Sequence, residues 1–385
     1  MDDHFEMIRN THQTSKKTNL SRWNEAAARE VRSFHETLSG YRTTPLVPLA
    51  GQAEKLGISG LYVKDESSRF GLNAFKALGA SFAMGTAAKD WTPGEKHTFV
   101  TATDGNHGRG VAWMARQMGQ KAVVYLPEGT AKSRLHNILA EGADAYITDL
   151  NYDDAVRLAA SKEKEEGWIL VQDTAWDGYE RIPELIMKGY LTMALEAYEE
   201  LEASGMGRKT RPTHIFLQAG VGSMAAAVAA FFLNVYREQP PAIVIVEPKK
   251  ADCFFRSIRK GERKPVAVTG KMDTMMAGLA CGEPSALAWP ILRDHAYAFI
   301  SCDDCYAADG MRLLGKPLPG DKRIVSGESG AVSLGVLSAL MTDPELSEDK
   351  EALKLNNESV VLCISTEGAT DPEHYRAVVE KGKSN

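Results

Sequence analysis

A chain of 385 residues, 44% hydrophobic and 25% charged, is too long for one simple core and has the composition of a folded globular protein, most simply of two domains. Its formal charge of −6 and pI near 5.9, with no run of basic residues, exclude a general attraction to nucleic acid or to an anionic membrane surface. No window reaches the roughly 18 apolar residues of a membrane span, and MDDHFEMIRNTHQTSKK at the N-terminus lacks the apolar region of a signal peptide, so the expected location is the cytoplasm.

After a polar leader over residues 1–20, SRWNEAAAREVRSFHETL reads as an amphipathic helix, because Trp23, Ala27, Val31 and Phe34 recur at near-helical spacing. Strands and helices then alternate. Apolar runs of strand length stand at 61–64, 97–102, 122–126, 145–148, 168–172, 214–219, 242–247, 297–301 and 359–365, with helix-length segments such as 107–118, 151–166 and 182–203 between them. This pattern predicts an α/β fold built on mostly parallel sheet covered by helices on both faces.

Four stretches carry possible chemistry. In GLNAFKALGA (71–80), Lys76 is the one charge among small and apolar residues, and is either a snorkelling helix residue or a reactive amine. In VTATDGNHGRGVAW (100–113) a strand ends in a glycine turn and a helix begins, which places Asp104, Asn106 and His107 where ligands gather in α/β sheets. The same residues could equally serve only as turn formers and helix caps. Asp173, after the strand run ending at 172, reads by itself as a turn or capping aspartate. The segment MGRKTRP (206–212), charged and closed by proline, has the look of a surface connection.

LQAGVGSMAAAV (217–228) again runs from strand through glycine turn to helix, so the amides of Val221 to Met224 could cradle a phosphate, with Gly220 and Gly222 permitting close approach. Glu247, at the end of the next strand, leaves open a dinucleotide site in which it would meet a ribose. Cys253, Cys281, Cys302, Cys305 and Cys363 are odd in number and scattered, which speaks against a disulfide framework, and Cys302-Asp-Asp-Cys305 lacks the second ligand pair of a structural zinc. The last block, VVLCISTEGATD (360–371), ends in hydroxyls at Ser365 and Thr366 that could meet a ring nitrogen or cap the helix near Asp371.

Taken together and in this order, these blocks resemble fold type II pyridoxal 5′-phosphate enzymes, the family of the tryptophan synthase β-subunit and threonine dehydratase. In that family a Phe-Lys pair carries the lysine that joins the cofactor, a Ser-Gly-Asn-His turn follows, a glycine loop binds phosphate, and a late Ser or Cys meets the pyridine nitrogen. The matching positions here are Phe75-Lys76, Asp104-Gly105-Asn106-His107, Gly220-Val221-Gly222-Ser223-Met224 and Ser365. Asp104 departs from the usual serine. KDESSRFGLNAFKALGA (64–80), TATDGNHGRGVAW (101–113), VQDTAWDGYERIP (171–183), MMAGLACGEP (275–284), SGESGAV (326–332) and ISTEGATD (364–371) look closest to the family's ammonia-lyases that act on a diamino acid.

The resemblance implies two interleaved domains, 1–88 with 205–385 and 89–204 between them, a pyridoxal 5′-phosphate cofactor, no metal, and a homodimer. It also implies α,β-elimination of 2,3-diaminopropionate to pyruvate and two ammonia, on both enantiomers. Burial is expected to keep the Lys76 amine neutral and nucleophilic. Asp104 and Asp173 are expected to hold the β-ammonium, with Asp104 also exchanging a proton at Cα from the face opposite Lys76. Asn106 would meet the cofactor's phenolic oxygen. The competing expectations are a dehydratase or lyase for serine, threonine or another β-substituted alanine, a nicotinamide-binding protein using Gly220, Gly222 and Glu247, and a noncatalytic binder of the same cofactor.

Overall fold

The computed structural model describes residues 4–11, 17–92, 94–204 and 210–382. Its strands are β1 (Phe5–Arg9), β2 (Leu46–Pro48), β3 (Gly60–Asp65), β4 (Thr98–Ala102), β5 (Lys121–Leu126), β6 (Asp144–Ile147), β7 (Ile169–Leu170), β8 (His214–Gln218), β9 (Ala242–Pro248), β10 (Ala298–Cys302) and β11 (Val360–Ser365). They form a seven-stranded sheet in the order β1-β10-β9-β8-β11-β3-β2 and a four-stranded sheet in the order β6-β5-β4-β7. Every pairing is parallel except at the two edges of the larger sheet, where β1 runs antiparallel to β10 and β2 to β3.

The period of two along the central strands divides the core. Ile215, Leu217, Ile243, Ile245, Phe299, Leu362 and Ile364 face one way and pack with the helices Lys76–Ala87, Leu191–Ala203 and Ser223–Val235. Phe216, Val244, Val246, Ala298, Ile300, Val361 and Cys363 face the other way, against the helices Asp304–Gly315, Glu328–Thr342 and Pro372–Val379. Because both faces are covered, the strands read as unbroken apolar runs, which is why they were visible in the sequence.

The expectations fail where an element is short or partly polar. The leader contains β1, whose Phe5 and Met7 pack on the core while Glu6 pairs with Arg259 at the surface. The run 168–172 shrinks to Ile169–Leu170, because the Gln172 side chain accepts from the Ala102 amide and Thr101 hydroxyl in place of ladder bonds. Of the connection read at 206–212, residues 206–209 lie outside the described residues. The five cysteines stand as free thiols, with Cys253, Cys281, Cys302 and Cys363 buried and Cys305 exposed.

The segment 182–203 is two helices, Arg181–Gly189 and Leu191–Ala203, meeting at Tyr190. Here Gly189 crosses Gly79: a Cβ on Gly189 would lie 2.4 Å from the Leu78 carbonyl oxygen, and one on Gly79 would lie 2.7 Å from Ile186 and Tyr190. These obstacles include backbone, which cannot swing aside. Gly189→Ala is therefore expected to lower stability by about 1–3 kcal/mol, measured by urea unfolding. An unchanged midpoint would show that the crossing is looser than its geometry.

Candidate active site

The carboxyl ends of β4, β8 and β11 face a single cavity of about 600 Å³, counted out to its open mouth. Such strand ends are where α/β sheets leave room for a ligand. Four helices begin at its wall, Lys76–Ala87, Asn106–Gln117, Ser223–Val235 and Glu328–Thr342, and each contributes a residue of its first turn: Lys76, Asn106, Ser223 with Met224, and Ser329.

Lys76 is held by a clamped loop. The Phe75 amide donates to the Thr366 carbonyl (3.1 Å) and the Gly368 amide to that of Asn73 (2.9 Å), while Arg109 Nη1 donates to the Leu72 carbonyl (3.1 Å). Before this loop stands a fully buried charge network. Arg69 makes a two-point contact with Glu66 (2.8 Å each) and reaches Glu196 Oε2 (2.7 Å), which also pairs with Lys64 Nζ at 2.9 Å. Tyr41 donates to Glu196 Oε1 at 2.9 Å.

The Lys76 ammonium is paired with Asp173, whose other oxygen accepts from Tyr152 OH (3.2 Å) and Gln172 Nε2 (3.3 Å). Burial alone would push the Lys76 pKa down, as the sequence suggested. Asp173, with smaller contributions from Tyr190 and Asp104, outweighs it and raises the pKa above the usual lysine value. The converse holds for Asp173, where burial is overcome by Lys76 and His107 and the carboxyl stays below its ordinary range. The expectation of a neutral amine is thus corrected: a partner 97 residues away in sequence holds Lys76 charged.

Asp104 lines the same cavity, and Arg134 Nη1 donates to both its Oδ2 and its backbone carbonyl at 3.2 Å. Asn106 Nδ2 donates to Glu367 Oε2, and Glu367 Oε1 accepts from the Ser329 amide (3.3 Å). A carboxylate can only accept, so this bond fixes which way the Asn106 amide is turned. Burial, reinforced by Glu367, pushes the neighbouring Glu328 up to about 7.

The glycine turn forms the opposite wall. Gly222 sits at φ 87°, and a Cβ there would strike the Phe254 ring at 2.3 Å; a Cβ on Gly220 would meet the Gly278 carbonyl at 3.1 Å. Gly220 to Ala225 line the cavity, and the first-turn amides of Ser223–Val235 have no acceptor within the helix, as suits a phosphate. Ser223 Oγ donates to the Asp173 carbonyl (2.6 Å), so this turn also steadies the partner of Lys76. Two buried hydroxyls on the wall, Tyr190 OH and Ser329 Oγ, have no partner. An amine, a cradle of backbone amides and orphaned hydroxyls together fit pyridoxal 5′-phosphate.

Phe75, Lys76, Asp104, Asn106 and Gly220 to Met224 all lie on the cavity wall, and Asp173 reaches it through Lys76. Ser365 does not: its hydroxyl is buried under the sheet and donates to Ser326 Oγ (2.8 Å), while the next residue, Thr366, stands on the wall with Oγ1 accepting from Gln218 (3.1 Å). Alternation at the strand end places the hydroxyl one residue later than the resemblance implied. His107 packs inside, its Nε2 against the Val171 carbonyl (2.7 Å). Both Glu247 oxygens accept backbone amides, from Phe254 (2.8 Å) and Phe255 (2.7 Å), which removes the acid that a ribose would need. Ser329 and Glu367 fall within the blocks 326–332 and 364–371, which give them no role, while Arg134, Tyr152 and Tyr190 lie outside every motif. Only the spatial folding assembles them.

The model of the pyridoxal-phosphate dependent enzyme family matches residues 37–366. Diaminopropionate ammonia-lyase of Escherichia coli K12 is 50% identical over 376 residues, which covers 94% of this chain and 93% of the relative. The crystal structure of the Escherichia coli enzyme in complex with an aminoacrylate-PLP azomethine reaction intermediate superposes with a TM-score of 0.91 at 48% identity, covering 98% of this chain and 97% of that one. Its complex with D-serine matches equally well, with a TM-score of 0.91 at 47% identity over 98% of this chain and 97% of that one.

Proposed function

The chain belongs to the pyridoxal-phosphate dependent enzymes, and from that membership we propose that it eliminates ammonia from 2,3-diaminopropionate, giving pyruvate and two ammonia. The observation that carries this reading is the pair of aspartates at the Lys76 end of the cavity, Asp104 on its wall and Asp173 paired with the Lys76 ammonium. A hydroxyl leaving group needs no such carboxylates, whereas a β-ammonium is held by them.

The cofactor, when bound, supplies the electron sink for charge developing at Cα. The chain's own residues do the rest. The first-turn amides after Gly222 hold the phosphate, and Asn106, its amide turned by Glu367, meets the phenolic oxygen. Thr366 replaces Ser365 as the hydroxyl available to the ring nitrogen. Lys76, once its proton has passed to the Asp173 side, takes a proton from Cα on its own face, and Asp104 takes one on the other. Two bases on two faces accommodate both enantiomers. Asp104 and Asp173 orient the β-ammonium until it departs.

Release of pyruvate and ammonia from D- and L-2,3-diaminopropionate should exceed that from L-serine by about 100-fold or more in kcat/KM. Faster turnover of serine would overturn the choice in favour of a dehydratase. The division into 1–88 with 205–385 and 89–204 is supported by the four-stranded sheet falling wholly within the second range. A homodimer in the cytoplasm is supported by the family resemblance; among the described residues no helix is long and apolar enough to cross a membrane. Light scattering on the eluted holoenzyme tests the dimer.

A further inference from the structure

Arg134 is a buried cation with no place in the cofactor site. It lies on the helix Lys132–Leu139 and its stem covers the turn after Asp104: a Cβ on Gly105, itself at φ 140°, would come within 3.0 Å of Arg134 Cδ. Its Nη1 bonds both the carboxylate and the carbonyl of Asp104. The remaining Asp104 oxygen has only a long contact, 3.4 Å, from Thr103 Oγ1. Burial works against the guanidinium's charge, but Glu367, Asp104, Glu328 and Asp371 outweigh it, so four carboxylates share this one cation's field. Without Arg134, Asp104 would stand among like charges on a glycine-flanked turn with little to hold its direction.

We propose that Arg134 is a positioning residue, fixing the Asp104 carboxylate toward Cα on the face opposite Lys76, so that turnover of one substrate enantiomer depends on it more than turnover of the other. This rests on the two-base reading above. An arginine is suited to the task because its planar guanidinium holds Nη1, the atom that makes both bonds to Asp104, in one direction, where an ammonium on a flexible stem turns freely. A misplacement of about 1 Å at a reacting group costs up to about 100-fold in rate.

The test compares Arg134→Gln, Arg134→Lys, Asp104→Asn and the double variant Asp104→Asn/Arg134→Gln on both enantiomers of 2,3-diaminopropionate, with the absorption of the bound cofactor and the melting temperature as controls. Arg134→Gln is expected to lower kcat, more than it raises KM, by about 10- to 100-fold further for one enantiomer than for the other. Arg134→Lys should recover part of the loss, and the double variant should be no slower than Asp104→Asn alone. Equal losses on both enantiomers beside a selective Asp104→Asn, or losses that multiply in the double variant, overturn the proposal. If Asp104→Asn itself strikes both enantiomers alike, the two-base reading fails, and the coupling in the double variant still decides whether Arg134 acts through Asp104. Should Arg134→Gln lose the cofactor absorption, Arg134→Lys carries the same comparison.

Discussion

Lys76→Ala is expected to lower kcat by at least about 10²–10⁴-fold, the contribution of a positioned proton-transfer group alone, and to abolish the covalent link between chain and cofactor. After borohydride reduction of the holoenzyme, intact-mass measurement should show one added cofactor on the wild-type chain and none on the variant. Among the described residues the other deeply buried lysine near this loop is Lys64, and its ammonium is already committed to Glu196, Glu200 and the Thr44 carbonyl. A reducible adduct persisting in Lys76→Ala would therefore displace the assignment altogether. The Gly220 loop is untouched by the substitution, so weak noncovalent binding of the cofactor should survive.

The second large effect is on folding. Glu196 joins Arg69 and Lys64 out of reach of water, with the half-buried Tyr41 donating to it from the edge, and removing one member of a buried ion network leaves the others uncompensated, at a cost of about 3–5 kcal/mol. Glu196→Ala should show that loss in urea unfolding at pH 7; a change below about 1 kcal/mol, the range of an exposed pair, would mean that water reaches the network. Burial pushes the Glu196 pKa up, but Arg69 and Lys64 overcome it and bring it from 4.5 to about 2. For a carboxyl depressed in the folded state, the stabilisation is fully present above the unfolded value and disappears as pH falls through the folded one. The wild-type protein should accordingly lose this contribution between pH 4.5 and about 2, and the Glu196→Ala variant should lack that part of the acid transition. Because Arg69 precedes the loop that carries Lys76, cofactor binding should weaken in the same variant.

Much of this was legible in the sequence, and the reason is local. Buried parallel strands announce themselves as apolar runs, and glycine turns at their ends announce where a ligand can approach, so Asp104, Asn106 and Gly220 to Met224 stood out locally, while their union with Lys76 in one site came from the resemblance of the motifs to the family. What was not legible depends on partners distant in the chain. The protonation of Lys76 depends on Asp173, the direction of Asn106 on Glu367, and the hold on Asp104 on Arg134, none of which any window of sequence contains. The displacement from Ser365 to Thr366 is of another kind. It is a question of which face a strand's last residue turns toward, and a one-residue difference there reverses the answer. The strand β1 escaped because an edge strand with one covered face carries too few apolar residues to stand out from a polar leader.

Four amino ends of helices around one chamber create a positive potential that no side-chain substitution can remove. Each contributes the equivalent of about half a unit charge at its first turn, so together they supply about two. The Lys76 ammonium adds one more, and Asp104, Asp173 and Glu367 stand against that sum of about three and bring the chamber toward electroneutrality. Taking one carboxylate away tips the balance to anions: the grip on a phosphate or on an amino acid's own carboxylate would remain, while the preference for a second amino group would fade. In this fold, selectivity for a dication-like substrate is a matter of how many acids are set into a fixed backbone field.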